Sequence, residues 1–581
     1  MRKLTAFAVL FLCLALVATQ AFAAAKITII NNSPAGVGFN DPTPATPVGG
    51  NPGTTLGDQR LNVFKEAARI WGENLDSPVE VRILASMQHL TCTATSAVLG
   101  STGISVIFRD FAGDTLGFFP GPEFAGTWYG SALADKRSGQ DLAALDPTIP
   151  AGYQDVNMRF NSDIGQPTCL AGQGWYLGYD LNNAANQINM LTTMLHEFAH
   201  GLNFSQFASV SNGSMIDNFP DIYNRQILDN TTGKTWDQMT NTERVASAIN
   251  SRKVVWIGPE VTSFVPGVLS YGVPTLIVDS PAAIAGKYEV GRASFGPALS
   301  STMITGSLVL GLDPADAAGP STNDGCSALT NASDVAGKIA VLTRGTCTFT
   351  VKTKNAQNAG AIAVVIADNA AGAPPGGLGG SDPTITIPAV RVTLVDGNAI
   401  KAQLNASVAV TVALGLDMTR IAGADANQHA LLYTPSPVAP GSTISHYDDS
   451  SFPNQLMEYA INADLTHEVK PPEDLTLPLL HDVGWFLDAD NDGVADGSDQ
   501  CAGSNLTPGV ILIGSCNTTV SNALFSSGCT IRDLLANAAV GDTNHGWYAS
   551  NVAHLGNALV SAGVITGEQK GALQSCAARA K

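Results

Sequence analysis

Two histidine-bearing segments that lie far apart place the strongest constraint on how this 581-residue chain can fold. The first is His196-Glu197-Phe198-Ala199-His200. Around it, Ile188, Leu191, Leu195, Phe198 and Leu202 recur at helical spacing, which predicts a core helix over 188–202. On that helix His196 and His200 are one turn apart and project from the same side. The second segment, Ser445-His446-Tyr447-Asp448, follows some 250 positions later. If all three imidazoles are to meet, the residues between them must leave the core and return, which suits an inserted unit whose two ends lie close together.

Two imidazoles at this spacing can take adjacent corners of a zinc tetrahedron, and a catalytic zinc needs a third protein ligand and one exchangeable water. Glu197 then lies beside the open corner, where a carboxylate takes the proton as the metal-acidified water attacks a carbonyl. The compact continuation of such a pattern would put Gly three residues and His six residues past the second histidine, but the chain has Asn203 and Gln206 there. Asn tolerates a left-handed backbone, so Asn203 can still end the helix in a sharp turn. Gln206 cannot replace a zinc histidine, so the third ligand must come from elsewhere. Glu243, in Thr242-Glu243-Arg244, is the nearest glutamate, yet no accompanying pattern supports it. His429, His467 and His481 are weaker competitors to His446. Short His-Glu-x-x-His matches also arise by chance, and the competing reading makes His196 and His200 satisfied helix histidines and His446 a loop residue.

The later segment, from Ser445-His446-Tyr447 through Asn454-Gln455-Leu456-Met457, resembles the leishmanolysin branch of the metzincins, in which an insertion separates the zinc helix from the third histidine and a methionine turn follows. The resemblance implies His196, His200 and His446 as zinc ligands, Glu197 as general base, and Met457 as a hydrophobic floor under the metal. Tyr459, two residues on, is read as a core-packing residue, with the alternative that it reaches a developing oxyanion as a tyrosine there does in some other metzincins. The resemblance covers two short segments, and that family's dense disulfides are missing, with only Cys92 and Cys169 in these parts.

The N-terminus runs Met1-Arg2-Lys3, an apolar stretch from Leu4 to Val17, then Ala21-Phe22-Ala23, the order of a secretory signal peptide cleaved near Ala23. That stretch is short for a membrane span, and no later segment has roughly 18 uninterrupted apolar residues, so a secreted chain without a membrane span is expected. Cys13 would leave with the signal, and an even set of eight cysteines favours disulfides in an oxidising compartment. Proximity pairs Cys92 with Cys169 and Cys326 with Cys347, and leaves two bonds to be made among Cys501, Cys516, Cys529 and Cys576. The formal charge is −19, and loss of Arg2 and Lys3 lowers it to −21, which argues against a nucleic-acid partner.

Elsewhere, strands are predicted at Lys26-Ile27-Thr28-Ile29-Ile30 and Val79-Glu80-Val81-Arg82-Ile83, with an amphipathic helix from Gln59 to Trp71. Between 267 and 417 the texture becomes β-rich. Gly337-Lys338-Ile339-Ala340-Val341, Arg344-Gly345-Thr346-Cys347, Asn355 to Ala361, Ala363-Val364-Val365-Ile366 and Ile387-Pro388-Ala389-Val390 closely resemble a protease-associated (PA) domain. By that resemblance the Cys326–Cys347 pairing gains support, and the segment is a non-catalytic module, its ligand unknown, that accounts for the gap between zinc ligands. A final core helix is expected over 475–485.

Beyond it Asp488, Asp490, Asp492, Asp496 and Asp499 occupy positions 1, 3, 5, 9 and 12 of a loop with Gly493 at position 6, and Val494 would contribute its carbonyl. That is calcium-loop spacing, resembling a thrombospondin type 3 repeat with Cys501 just after it, and a solvated acidic linker is the alternative. Helical candidates at Ile531 to Ala539, Asn551 to Ala562 and Gln569 to Ala578 close the chain.

The expected class is therefore α+β: signal peptide 1–23, a metzincin-like peptidase domain in two parts (24–266 and 418–487), a PA domain at 267–417, a calcium loop at 488–501 and a helical region at 502–581. The expected activity is hydrolysis of proteins or peptides by a zinc endopeptidase. The rival reading is a secreted binding or surface protein on a peptidase-like fold.

Overall fold

The computed structural model describes residues 25–113, 121–462, 464–485, 499–501, 503–507, 509–525, 527–540 and 545–580. The expected signal peptide, and Asp488, Asp490, Asp492, Val494 and Asp496 of the expected calcium loop, lie outside the described residues.

The chain is a mixed α/β protein whose first part builds a four-stranded sheet in the order Ile27–Asn31, Val81–Gln88, Val156–Asn161, Gly100–Ile104. The first three strands run parallel, with Ile29 beside Ile83 and Ile83 beside Val156. The fourth runs antiparallel along the edge, with Thr102 opposite Met158. Val81–Gln88 alternates as a half-buried strand should, burying Val81, Ile83, Ala85 and Met87.

On this sheet lie two helices. Leu56–Asn74 is started by the Thr55 side chain, which accepts from the Asp58 amide, and it buries Val63, Phe64, Ala67 and Trp71 on one face. Met190–Gly201 is started in the same way by Asn189 and is buried almost all round, as its apolar composition demands. Phe198 packs on Phe64 with ring centroids 5.2 Å apart, and Trp71 Nε1 donates to the Leu195 carbonyl at 3.1 Å.

Between Tyr271 and Ile421 the chain forms an eight-stranded sheet of its own. The strand Ile339–Thr343 sends Ile339 and Val341 into one core and Ala340 and Leu342 into another on the opposite face. Burial on both faces explains its continuous apolar run. The entering strand Tyr271–Ser280 pairs with the leaving strand Thr411–Ile421, so Tyr271 stands beside Ile421 and the insert closes on itself.

The stretch 475–485 is not the single helix that its apolar pattern suggested. Thr476–Leu480 is α-helical and then widens through His481–Trp485, where Gly484 has φ 122. Glycine reaches that conformation readily, and the turn carries Trp485 into the core, where its Nε1 donates to the Leu202 carbonyl at 2.8 Å.

The C-terminal region pairs Val510–Ile513 with Cys516–Ser521 and adds helices Ile531–Ala539, His545–Ser561 and Gly567–Ala577 around a separate small core. Disulfides join Cys92–Cys169, Cys326–Cys347, Cys501–Cys529 and Cys516–Cys576, which settles the two pairings that proximity left open. Among the described residues, no helix is long and apolar enough to cross a membrane.

Candidate metal centre

Helix pitch brings His196 and His200 together with ring centroids 4.8 Å apart. Past the helix end Asn203 turns the chain at φ 79, the left-handed conformation expected of it, so that the Phe204 carbonyl faces back and accepts from His200 Nδ1 at 2.8 Å. His446 then enters from the far side of the insert, its ring 5.1 Å from His196 and 4.8 Å from His200. One ligand atom from each of the three residues lies within 4.8 Å of the others. Among the described residues this is the one cluster of three or more His, Cys, Asp or Glu side chains with that geometry.

The other ring nitrogens fix the tautomers. His196 Nδ1 bonds the Leu456 carbonyl at 2.8 Å, and His446 Nδ1 bonds the Ser442 carbonyl at 2.8 Å. A carbonyl can only accept, so each Nδ1 carries the proton and each Nε2 presents a bare lone pair. Yet the Nε2 atoms of His196 and His446 stand 3.2 Å apart. Two lone pairs at that distance repel unless a cation lies between them. Nitrogens about 2.0–2.1 Å from a tetrahedral zinc would be about 3.3 Å apart, so the donor set fits the ion. Burial pushes the His196 pKa down to about 4, and burial with the neighbouring His196 pushes His200 down to about 3. Burial, then His200 and His196, takes His446 well below its ordinary value. All three imidazoles are therefore neutral near pH 7, the state in which they ligate metals.

The Leu456 carbonyl owes its position to a buried frame. The Leu456 amide donates to Asp474 at 2.6 Å, and the Gln455 side chain accepts from the Leu475 amide at 2.9 Å. Met457 is wholly buried, and its carbonyl accepts from the Tyr447 amide at 2.8 Å.

Glu197 is 6% exposed, and burial raises its pKa to about 7 against the opposing effect of the Thr102 hydroxyl, which donates to it at 2.7 Å. Thr102 belongs to the edge strand, and so does Gly100, where a Cβ would lie 2.5 Å from Glu197 Oε1. A cleft of about 1270 Å³ runs past Gly100, Thr102, the three histidines and Glu197, with Gln206 and Tyr459 on its walls. Tyr459 is not a packed core residue: it is 46% exposed, and its ring stacks on Tyr433 at 4.3 Å.

The competing ligands are engaged elsewhere. Glu243 pairs with Lys234 at 2.6 Å and caps its own helix, His429 faces Asp425, and His467 bonds Asn189. His481 stands apart from the cluster. The sequence reading missed Thr102 and the three carbonyl partners. A backbone carbonyl leaves no mark in a sequence, whereas Gly100 inside a strand does hint at a close approach.

A buried carboxylate beside three convergent neutral imidazoles defines a candidate mononuclear metal centre. Residues 304–400 match the PA domain family, so the insert contains a PA domain. Over 79 residues the chain is 42% identical to ER degradation-enhancing alpha-mannosidase-like protein 3 of Homo sapiens, covering 14% of this chain and 8% of that one. Over 97 residues it is 35% identical to probable leucine aminopeptidase 2 of Aspergillus fumigatus, covering 16% and 19%. The chain thus spans less than a fifth of either relative's length. Among solved structures it is similar to BSAP, a zinc aminopeptidase from Bacillus subtilis, at 25% identity over 26% of this chain and 31% of that one, with a TM-score of 0.19. An aminopeptidase from Aneurinibacillus sp. strain AM-1 matches at 21% identity over 36% and 46%, also with a TM-score of 0.19.

Proposed function

We propose that this chain is an exported zinc peptidase of the metzincin kind, cutting within proteins or peptides, with His196, His200 and His446 as ligands and Glu197 as general base. The observation that carries the reading is the 3.2 Å approach of two Nε2 atoms whose Nδ1 partners are both carbonyls. A zinc held there supplies an acidified water and a polarised scissile carbonyl. Glu197, poised near neutrality by burial, takes the proton and returns it to the departing amine. Thr102 and Gly100 hold that carboxylate at the cleft wall. Among the described residues the edge strand pairs on one side only, and along its other side an extended peptide can lie as a further strand. Four disulfides fit an oxidising compartment. Calcium in the loop from Asp488 to Asp499 belongs to the proposal on carboxylate spacing.

The aminopeptidase named among the relatives makes removal of N-terminal residues the second reading. An end-blocked, internally quenched peptide and a free aminoacyl anilide separate the two. The zinc-loaded protein is expected to cut the blocked peptide, and the Glu197→Gln variant to keep one zinc per chain while turnover falls roughly 10²–10⁴-fold. Cleavage of the anilide alone would favour the second reading. Equal turnover by the variant would remove Glu197 from the mechanism, and a folded, zinc-loaded parent that cuts neither substrate would favour a binding protein.

A further inference from the structure

The PA-bearing insert and the third histidine are joined by one side chain. Arg252 precedes the strand Val254–Trp256 in the first part of the peptidase half, and it adopts φ 58, an unfavourable conformation for a residue with a side chain. Such a backbone persists where its surroundings over-determine it. Its Nη1 pairs with Glu289 at 2.6 Å, at the end of the insert's strand Gly286–Glu289. Its Nε, buried and without a hydrogen-bond partner, faces Asp448 at 3.5 Å, and Nη2 faces Asp449 at 4.0 Å. Asp448 lies two residues past His446, and the intervening chain is held by the Tyr447 amide on the Met457 carbonyl and the Asp448 amide on the Leu431 carbonyl. Leu431 in turn pairs with Val255, three residues past Arg252.

We propose that Arg252 is a positioning residue for the metal centre: by bridging Glu289 of the insert to Asp448, it makes the seating of the PA-bearing insert a determinant of where His446 stands. The inference rests on His446 being a metal ligand. A carboxylate held from one side by a guanidinium and from the other by its own loop restrains the residues next to it. Partners that orient ligands in this way change metal affinity by about 10–100-fold when removed.

The test uses the full chain and the variants Arg252→Met, Glu289→Gln and their combination, with two readouts. In the metal-free proteins, amide hydrogen exchange at Tyr447 and Asp448 is expected to quicken in both single variants. Zinc affinity, measured by competition with a chromophoric chelator, is expected to fall about tenfold in Arg252→Met and less in Glu289→Gln, with no further loss in the double variant. Arg252→Lys, which keeps the charge, should recover part of the loss. If Glu289→Gln, a change at a half-buried strand end that the fold should tolerate, leaves both exchange and affinity unchanged, the bridge is overturned. Faster exchange in the variants while the parent itself binds no zinc would instead overturn the metal reading and leave the bridge standing.

Discussion

At Gly100 the edge strand passes so close to the His196 helix that an added methyl would lie 2.5 Å from Glu197 Oε1. Thr102, two residues along and on the same face, donates to the other carboxylate oxygen at 2.7 Å. A Gly100→Ala variant is therefore expected to push Glu197 off Thr102, at a cost of about 1–3 kcal/mol in stability and at least about tenfold in turnover. Zinc stoichiometry should stay the same, because no imidazole is touched. Unfolding midpoints, metal content and peptide hydrolysis measured on one preparation check this, and unchanged turnover would mean that Glu197 acts from another position. The histidines themselves were legible in the sequence because two of them share a helix face and the third sits in a recognisable segment. Thr102 was not, since nothing local marks a threonine that will stand opposite a glutamate 95 positions away.

Elements are tied together by Asp482, within the widened turn that the apolar pattern of 475–485 had concealed. Its carboxylate accepts from Trp256 Nε1 at 2.8 Å and from the amides of Glu260 and Val261 at 2.8 and 3.1 Å, so it caps the helix Pro259–Val268 from more than 200 residues away. Burial outweighs those donors and raises its pKa from 3.8 to about 7. The native state thus holds this proton more tightly than the unfolded chain does, and the group's contribution is fully present below pH 3.8 and lost as pH rises towards about 7. An Asp482→Asn variant removes that loss. Relative to the parent, its unfolding free energy should rise across this window by up to about 1.4 kcal/mol per pH unit. Denaturant titrations at several pH values provide the comparison, and a difference that does not vary with pH would refute the assignment.

On the scale of the molecule, the two parts of the chain that flank the insert share one core, in which Phe64, Trp71, Leu195 and Phe198 meet Leu432, Tyr447, Met457 and Trp485. The sheet of the insert buries its two faces in separate clusters. Since Tyr271 and Ile421 stand side by side, replacing residues 272–420 by a short glycine-rich turn should leave a soluble chain that still binds zinc, more weakly for want of Glu289. Circular dichroism and metal titration test this, and an insoluble or zinc-free product would show that the two flanking parts depend on the insert to fold. The sequence by itself determined the local pieces: helices from apolar periodicity and caps, the PA domain from its ordered run of short motifs, and the imidazoles and glutamate from residue type. It determined them because such signals lie within a few residues of one another. Only the tertiary structure decided the long-range facts: which carbonyls set the histidine tautomers, the antiparallel edge strand beside Glu197, the two C-terminal disulfide pairings, and Arg252 between Glu289 of the insert and Asp448. Each of these depends on groups brought together by chain packing, and backbone carbonyls carry no residue identity from which such a meeting can be read.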